Sequence, residues 1–422
     1  MFFIYRYLTF ILYPFFILLI YLRVVLKKED KIKFKEKIFS SNFKSVRNIK
    51  NKLIWFHAAS IGEISSVIPL IKAINNSKKN IDFLITTVTL SSAQLVGREL
   101  SQYSNITHRF FPLDTANLSK KFLEAWTPDL VCFIDSEIWP NFLFKIKKKK
   151  IPLVLINGRI TRKTFDKWKI FPIIAKKVFS NFDLCLTSSE ESKNNLDQLH
   201  LANIEHIGNL KFTVKNKALD INDVNKKILD KFKVWCAVST HEGEELIALK
   251  THVKIKENYN NIFTIIIPRH INRVSYIENL SNKFNLKAQI LKDGDKINVN
   301  TEILIINSFG VLSKYFNYCK NIFIGKSLIK KLRKEGGQNP IEAAKAGCKI
   351  LHGPYIYNFQ EIYNFLNSNG ISCQINSEKE LVDKIIDSFK YPKKIDNHQM
   401  DLLNAYGDKI LKQTTDRLNK FI

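Results

Sequence analysis

The sequence predicts an α/β fold made of two doubly wound domains in tandem, and three observations carry that expectation. Short β-branched and aromatic runs alternate with longer segments of helical period, first between residues 53 and 212 and again between 234 and 354. A polar stretch, Thr213 to Lys227, interrupts the alternation once. Nearly every apolar run ends in a polar cluster, where the ligands of open parallel sheets bind.

At the N-terminus, YLTFILYPFFILLIYL between Arg6 and Arg23 carries no charge and reads as a membrane anchor over 1–28, spanning or interfacial, with Pro14 as a kink. No small-residue cleavage site follows it. The Lys and Arg residues of LRVVLKKEDKIKFKEK place the following chain on the cytoplasmic side.

The strand-like runs of the first domain (29–220) are LIWFHAA, DFLITTVT, ITHRFFPLD, LVCFIDSE, PLVLINGR, DLCLTSSE and IEHIGNLKF. Those of the second (221–395) are VWCAVSTHEGE, IFTIIIPRH, EILIINSFG, NIFIGKS and CKILHGP. Two such domains facing each other would enclose a cleft able to bring two substrates together. The tail, 396–422, reads as a helix expected to pack back on the first domain.

With 422 residues the chain exceeds one ordinary core and suits two domains of roughly 150–200 residues each. A net charge of +27 suits polyanionic partners, whether nucleic acid, anionic membrane or phosphorylated substrates, without choosing among them. Six cysteines without a CxxC pair, mostly in apolar runs, read as reduced buried thiols. Scattered histidines without ligand spacing argue against a dedicated metal site.

Four stretches hold candidate chemistry. In HAASIGE, Ser60 and Glu63 fit a capping box at a helix start, with Glu63 reaching back to the Ser60 N–H; a general base aimed into the cleft fits equally. Gly62, at the second helical position, costs about 0.5–1 kcal/mol relative to alanine and makes sense if something approaches the backbone there. DSEIWPN sets Asp135 and Glu137 two apart, on one side if the chain stays extended, so that mutual repulsion could raise one pKa. PRH sets Pro268 and Arg269 at a strand end as an oxyanion fork, and GNLK adds Lys211. In EGGQNPIEAAKAG, Asn339 suits an N-cap, Pro340 the first helical position and Glu342 the third. Gly336 and Gly337 let a ligand approach the N–H groups of that helix start.

In order, HAASIGE, TTVT, PLD, SEIWPN, NGR, GNLK, STHEGEE, PRH, GGQNPIEAAKAG and HGPYIYNF resemble the 3-deoxy-D-manno-octulosonic acid (Kdo) transferases of lipopolysaccharide synthesis, from the anchor to about residue 365. The resemblance implies a GT-B glycosyltransferase of two Rossmann-like domains, with no cofactor, metal or nucleic-acid partner. It would move Kdo from CMP-Kdo to the lipid A precursor lipid IVA at the inner membrane, among anionic lipids. It makes Glu63 the catalytic base and gives Asp135 and Lys211 the stabilisation of the transition state. Pro268, Arg269, Phe309, Gly310, Val311 and the stretch Asn339, Pro340, Ile341, Glu342 would contact CMP. Departures are Asp135 where the family usually has Glu, Asn307 to Leu312 in place of DTxGEL, and Gly325-Lys326-Ser327 in place of GGS. The competing readings are another GT-B enzyme of lipid A synthesis using a UDP-sugar, and a lipid- or nucleotide-binding relative that has lost catalysis.

Overall fold

The computed structural model describes residues 2–215, 221–308, 310, 312–333, 336–391 and 395–422. Two compact units emerge, Met1–Val214 with Tyr406–Ile422, and Lys215–Ala405; the division falls within the helix Asn397–Leu418.

The first unit holds β1 (Lys52–His57), β2 (Ile81–Thr87), β3 (Ile106–Phe110), β4 (Leu130–Ile134), β5 (Leu153–Gly158), β6 (Leu184–Thr187) and β7 (Ile204–His206), ordered β3-β2-β1-β4-β5-β6-β7. Every recorded pairing is parallel. Continuous burial along β2, β4, β5 and β6, and along β1 after Lys52, explains their near-unbroken apolar runs: both faces are covered by helices. Trp55, Phe111, Phe122, Phe133 and Phe142 pack at centroid distances from 4.7 to 6.3 Å on one side of that sheet.

The second unit holds β8 (Lys233–Thr240), β9 (Ile262–Pro268), β10 (Ala288–Leu291), β11 (Ile303–Ile306), β12 (Asn321–Ile324), β13 (Lys349–His352) and β14 (Ser372–Gln374), ordered β10-β11-β9-β8-β12-β13-β14, again parallel throughout. Sequence reasoning missed β10 and β14. Both are short edge strands, and neither presents the long apolar run of a central one.

At the N-terminus the apolar stretch forms two helices, Phe2–Ile11 and Tyr13–Val25, bent by 50°. Among the described residues no single helix is long and apolar enough to cross a membrane, although the bent pair together has the length and composition. Pro14, in the first turn of the second helix, marks the break. The pair is tied to the first unit: Tyr5 donates to Asp114 Oδ2 at 2.8 Å, and Ile20 packs with Phe34 and Ile38. Its outer face leaves Phe3, Tyr7, Phe10 and Leu18 exposed.

The expectation of reduced, buried thiols holds for Cys132, Cys185 and Cys348 and fails for one pair. Cys236 of β8 and Cys319, just before β12, form a disulfide with Cα atoms 5.9 Å apart. Strand pairing brings them together, since Cys236 lies opposite Ile322, and a separation of 83 residues hides that proximity from sequence spacing.

Candidate active site

In each sheet the chain runs outward from a central strand and then returns to that strand's other side. The crevice of the first unit therefore lies beyond the carboxyl ends of β1 and β4, and that of the second beyond β8 and β12.

Beyond β1, Ser60 caps the helix Ile61–Ser77 by accepting the Glu63 N–H at 3.3 Å. The Glu63 carboxylate folds back as a capping residue does, but not onto the Ser60 N–H. Its Oε2 accepts from the Ala59 N–H at 2.8 Å and its Oε1 from the Ser60 hydroxyl at 2.7 Å. These bonds favour the ionised form, yet burial outweighs them. Helped by the nearby charges of Asp135 and Glu137, it pushes the Glu63 pKa up from 4.5 to about 7. Cap and base are not exclusive, because a carboxylate offers about four lone-pair sites and two are in use here.

Beyond β4, the expected same-side arrangement of Asp135 and Glu137 does not form. Asp135 has φ +57°, which ends the extended conformation, and the two carboxylates go separate ways. Asp135 Oδ1 accepts from Asn157 Nδ2 at 2.5 Å, its N–H donates to Ile156 O at 3.0 Å, and its carbonyl accepts from the Arg159 N–H at 3.1 Å. This brace holds an aspartate in a left-handed conformation that Asp tolerates better than most residues. Glu137 Oε2 accepts from Trp139 Nε1 at 2.7 Å and lies 3.2 Å from His57 Nε2. His57 is fully buried, its ring stacked on Phe111 with centroids 3.8 Å apart. Burial raises the Asp135 pKa, against the pull of Lys211, Asn157 and Arg159.

Lys211 sits in a 3-10 turn, Leu210–Thr213, capped by the Asn209 side chain. Its Nζ lies 3.7 Å from where a Cβ on Gly62 would be, an ordinary van der Waals contact, so the ammonium stands beside the helix start without itself requiring a glycine there. Asn157 links the cluster: at a bulge in β5 with φ +57°, it donates to Asp135 and accepts the Leu210 N–H at 2.9 Å. Sequence reasoning missed Asn157, Arg159 and His57 as site residues. The NGR cluster at a strand end was the available signal for the first two.

The tail supports the same loop. A Cβ on Gly407 would meet Phe212 O at 2.3 Å, and Tyr406 stacks edge-on against Phe212.

In the second unit, Pro268 closes β9 and presents Arg269, which is exposed and makes no side-chain hydrogen bond or ion pair among the described residues. His241 lies beside His270, with ring centroids 5.7 Å apart. Burial, with Lys326, His270 and Arg269 nearby, lowers the His241 pKa to about 4. Glu244, wholly buried, accepts from the N–H groups of Lys326 at 2.6 Å, Ser327 at 3.0 Å and His241 at 3.1 Å, which welds β12's outgoing turn to the helix Glu244–Lys256. Lys326 stands there at φ +62°, the backbone of a glycine.

Gly336 and Gly337 have φ +72° and +82°, and a Cβ on Gly336 would meet Asn358 Nδ2 at 2.4 Å. Their glycines answer packing against their own unit. The helix Ile341–Lys345 begins one residue later than expected, with Pro340 at its boundary; Asn339 Oδ1 nonetheless accepts the Ile341 N–H at 3.0 Å, as a cap does. Glu342 is exposed in its first turn. Gly310 has φ +75° in open space, whereas Phe309 and Val311 lie outside the described residues. Among the described residues no group of three or more His, Cys, Asp or Glu could hold a metal ion.

Residues 33–214 match the family model described as 3-deoxy-D-manno-octulosonic-acid transferase (kdotransferase). The 3-deoxy-D-manno-octulosonic acid transferase of Rickettsia prowazekii is 30% identical over 89% of this chain and 77% of its own length. That of Rickettsia bellii is 30% identical over 90% of this chain and 89% of its own. Among solved structures, a glycosyltransferase from Rickettsia africae superposes with a TM-score of 0.58 at 13% identity, covering 88% of this chain and 98% of that one, a likeness of GT-B fold.

Proposed function

The chain belongs to the family of 3-deoxy-D-manno-octulosonic acid transferases, and on that premise we propose that it transfers Kdo from CMP-Kdo to lipid IVA with inversion at the anomeric carbon. One observation carries the mechanism: a half-buried carboxylate, Glu63, with a pKa of about 7 at the crevice beyond β1 and β4. A group poised there accepts a hydroxyl proton at neutral pH.

In the displacement, the acceptor oxygen bonds to the anomeric carbon and its proton passes to Glu63. The carbon–oxygen bond to CMP breaks, with the electron pair leaving on the phosphate. The Ala59 N–H and Ser60 hydroxyl hold the carboxylate in place, and Asp135 with Lys211 supplies charge stabilisation as the transition state forms. Arg269 offers a bidentate partner for the departing phosphate. The turn from Gly336 and Gly337 through Asn339, Pro340, Ile341 and Glu342, together with Pro268, Phe309, Gly310 and Val311, contacts the nucleotide. The exposed apolar face of the N-terminal helix pair, followed by lysines, holds the enzyme on the anionic cytoplasmic surface of the inner membrane.

Purified protein incubated with CMP-Kdo and lipid IVA should release CMP, and only when the lipid is present. Release at the same rate without the lipid, or none at all, would count against transfer.

A further inference from the structure

The first unit contains an apolar groove of about 820 Å³ that the chemistry above does not use. One wall is the N-terminal helix, through Ile4 and Leu8. The other is the corner between the helices Arg162–Lys169 and Pro172–Phe179, through Ile170, Phe171 and Ile173. We propose that this groove binds a fatty acyl chain of the acceptor. The inference rests on the reading of the acceptor as a lipid.

Three features of the groove select that occupant. Its walls are apolar yet open: Leu8 is 50% exposed, Ile170 69% and Ile173 73%, an arrangement that water disfavours and hydrocarbon does not. Its single charged lining residue is a cation, Lys177. Further cations stand on two of the elements that line it: Arg6, on the N-terminal helix, lies near Lys145, on the helix that carries Phe144. A phosphorylated headgroup over an acyl chain complements these cations.

The third feature separates the acceptor from a bilayer phospholipid. The groove is lined by Trp139, whose Nε1 donates to Glu137 at 2.7 Å, and the charge of Glu137 helps to raise the pKa of Glu63. A chain lying in the groove therefore abuts the same indole that braces the carboxylate cluster. A groove serving only to hold the protein on the bilayer has no reason to end there. Tyr5, also a lining residue, is fixed by Asp114, which in turn accepts the Asn141 and Phe142 N–H groups at 3.0 Å and so caps the helix carrying Phe144. The wall is thus a built part of the unit.

Transfer is measured in phospholipid-free detergent with lipid IVA and with its deacylated form. Leu8→Glu should raise KM for lipid IVA about tenfold, equivalent to about 1.4 kcal/mol, and so collapse the preference for the acylated acceptor. Ile173→Glu, at an exposed position on the opposite wall, should do the same. An undiminished preference in both variants overturns the groove. A second readout does not require turnover: a nitroxide-labelled fatty acid should quench the fluorescence of Trp139 and Trp168 in the native protein and not in Leu8→Glu. Equal quenching in the two proteins overturns the acyl site even where transfer proceeds. Clear quenching without CMP release from either acceptor overturns the transfer reading instead.

Discussion

Beyond β1 and β4 the clustered groups are carboxylates, Glu63, Asp135 and Glu137, with Lys211 among them. Beyond β8 and β12 Arg269 is exposed, while two wholly buried carboxylates are already engaged, Glu244 by backbone N–H groups and Glu245 by Arg273. Both sheets are parallel and reverse direction at their first strand, β1 or β8, although β11 sits between β10 and β9 in the second, so the fold supplies the two crevices and the residues at the strand ends give them different character. An acidic crevice can take a proton from an acceptor hydroxyl. A cationic one can hold the phosphate of a nucleotide donor.

The sharpest way to break this division is to alter one crevice and read both functions. Glu63→Gln should lower kcat by about 10²–10⁴-fold while CMP affinity, measured by calorimetry, stays within about twofold. Comparable losses in both would mean that the carboxylate supports the fold rather than the reaction. Glu63→Ala adds a stability cost of about 0.5–2 kcal/mol for the lost cap; a variant that is merely less stable but fully active would leave Glu63 as a cap alone.

Next in size is the reciprocal change. Arg269→Ala should weaken CMP binding by about 10–100-fold, the worth of a charge-assisted hydrogen bond of about 1.5–3 kcal/mol, and Arg269→Lys should recover only part of it because the fork geometry is gone.

Stability separates the crevices further. Glu63 has a folded pKa above its unfolded value of 4.5, so its contribution favours the fold below that value and is lost as pH climbs through about 7. Glu63→Gln should therefore gain on the native protein in thermal stability at alkaline pH, by about 1–2 kcal/mol after allowing for solvent access, and lose that advantage near pH 4.5. The smallest effect belongs to the second unit. Lys326→Gly, at φ +62°, should raise stability in denaturant titration by about 1 kcal/mol by relieving the left-handed backbone.

Much of this architecture was legible in the sequence, because buried parallel strands write themselves as apolar runs and Ser60 with Pro268 punctuates them. The candidate site was legible as residues more than as geometry. Glu63 could be picked out from helix grammar, but its raised pKa depends first on burial in the folded unit and then on the charges of Asp135 and Glu137, just after β4. The divergence of Asp135 and Glu137 was hidden because the left-handed turn is set by Asn157, on the neighbouring strand β5. Nothing at Gly62 pointed to Lys211 as its neighbour, because that lysine comes from about 150 residues later in the chain. The groove was unreadable for the same reason, since its walls join residues 4–8 to 138–178.

The pH dependence of kcat tests the central claim most directly. If Glu63 is the base, the rate of CMP release in the native protein rises through an apparent pKa of about 7 and then levels, and the limb disappears in Glu63→Gln. A flat profile between about pH 5 and 9, or the same limb in both proteins, would contradict it.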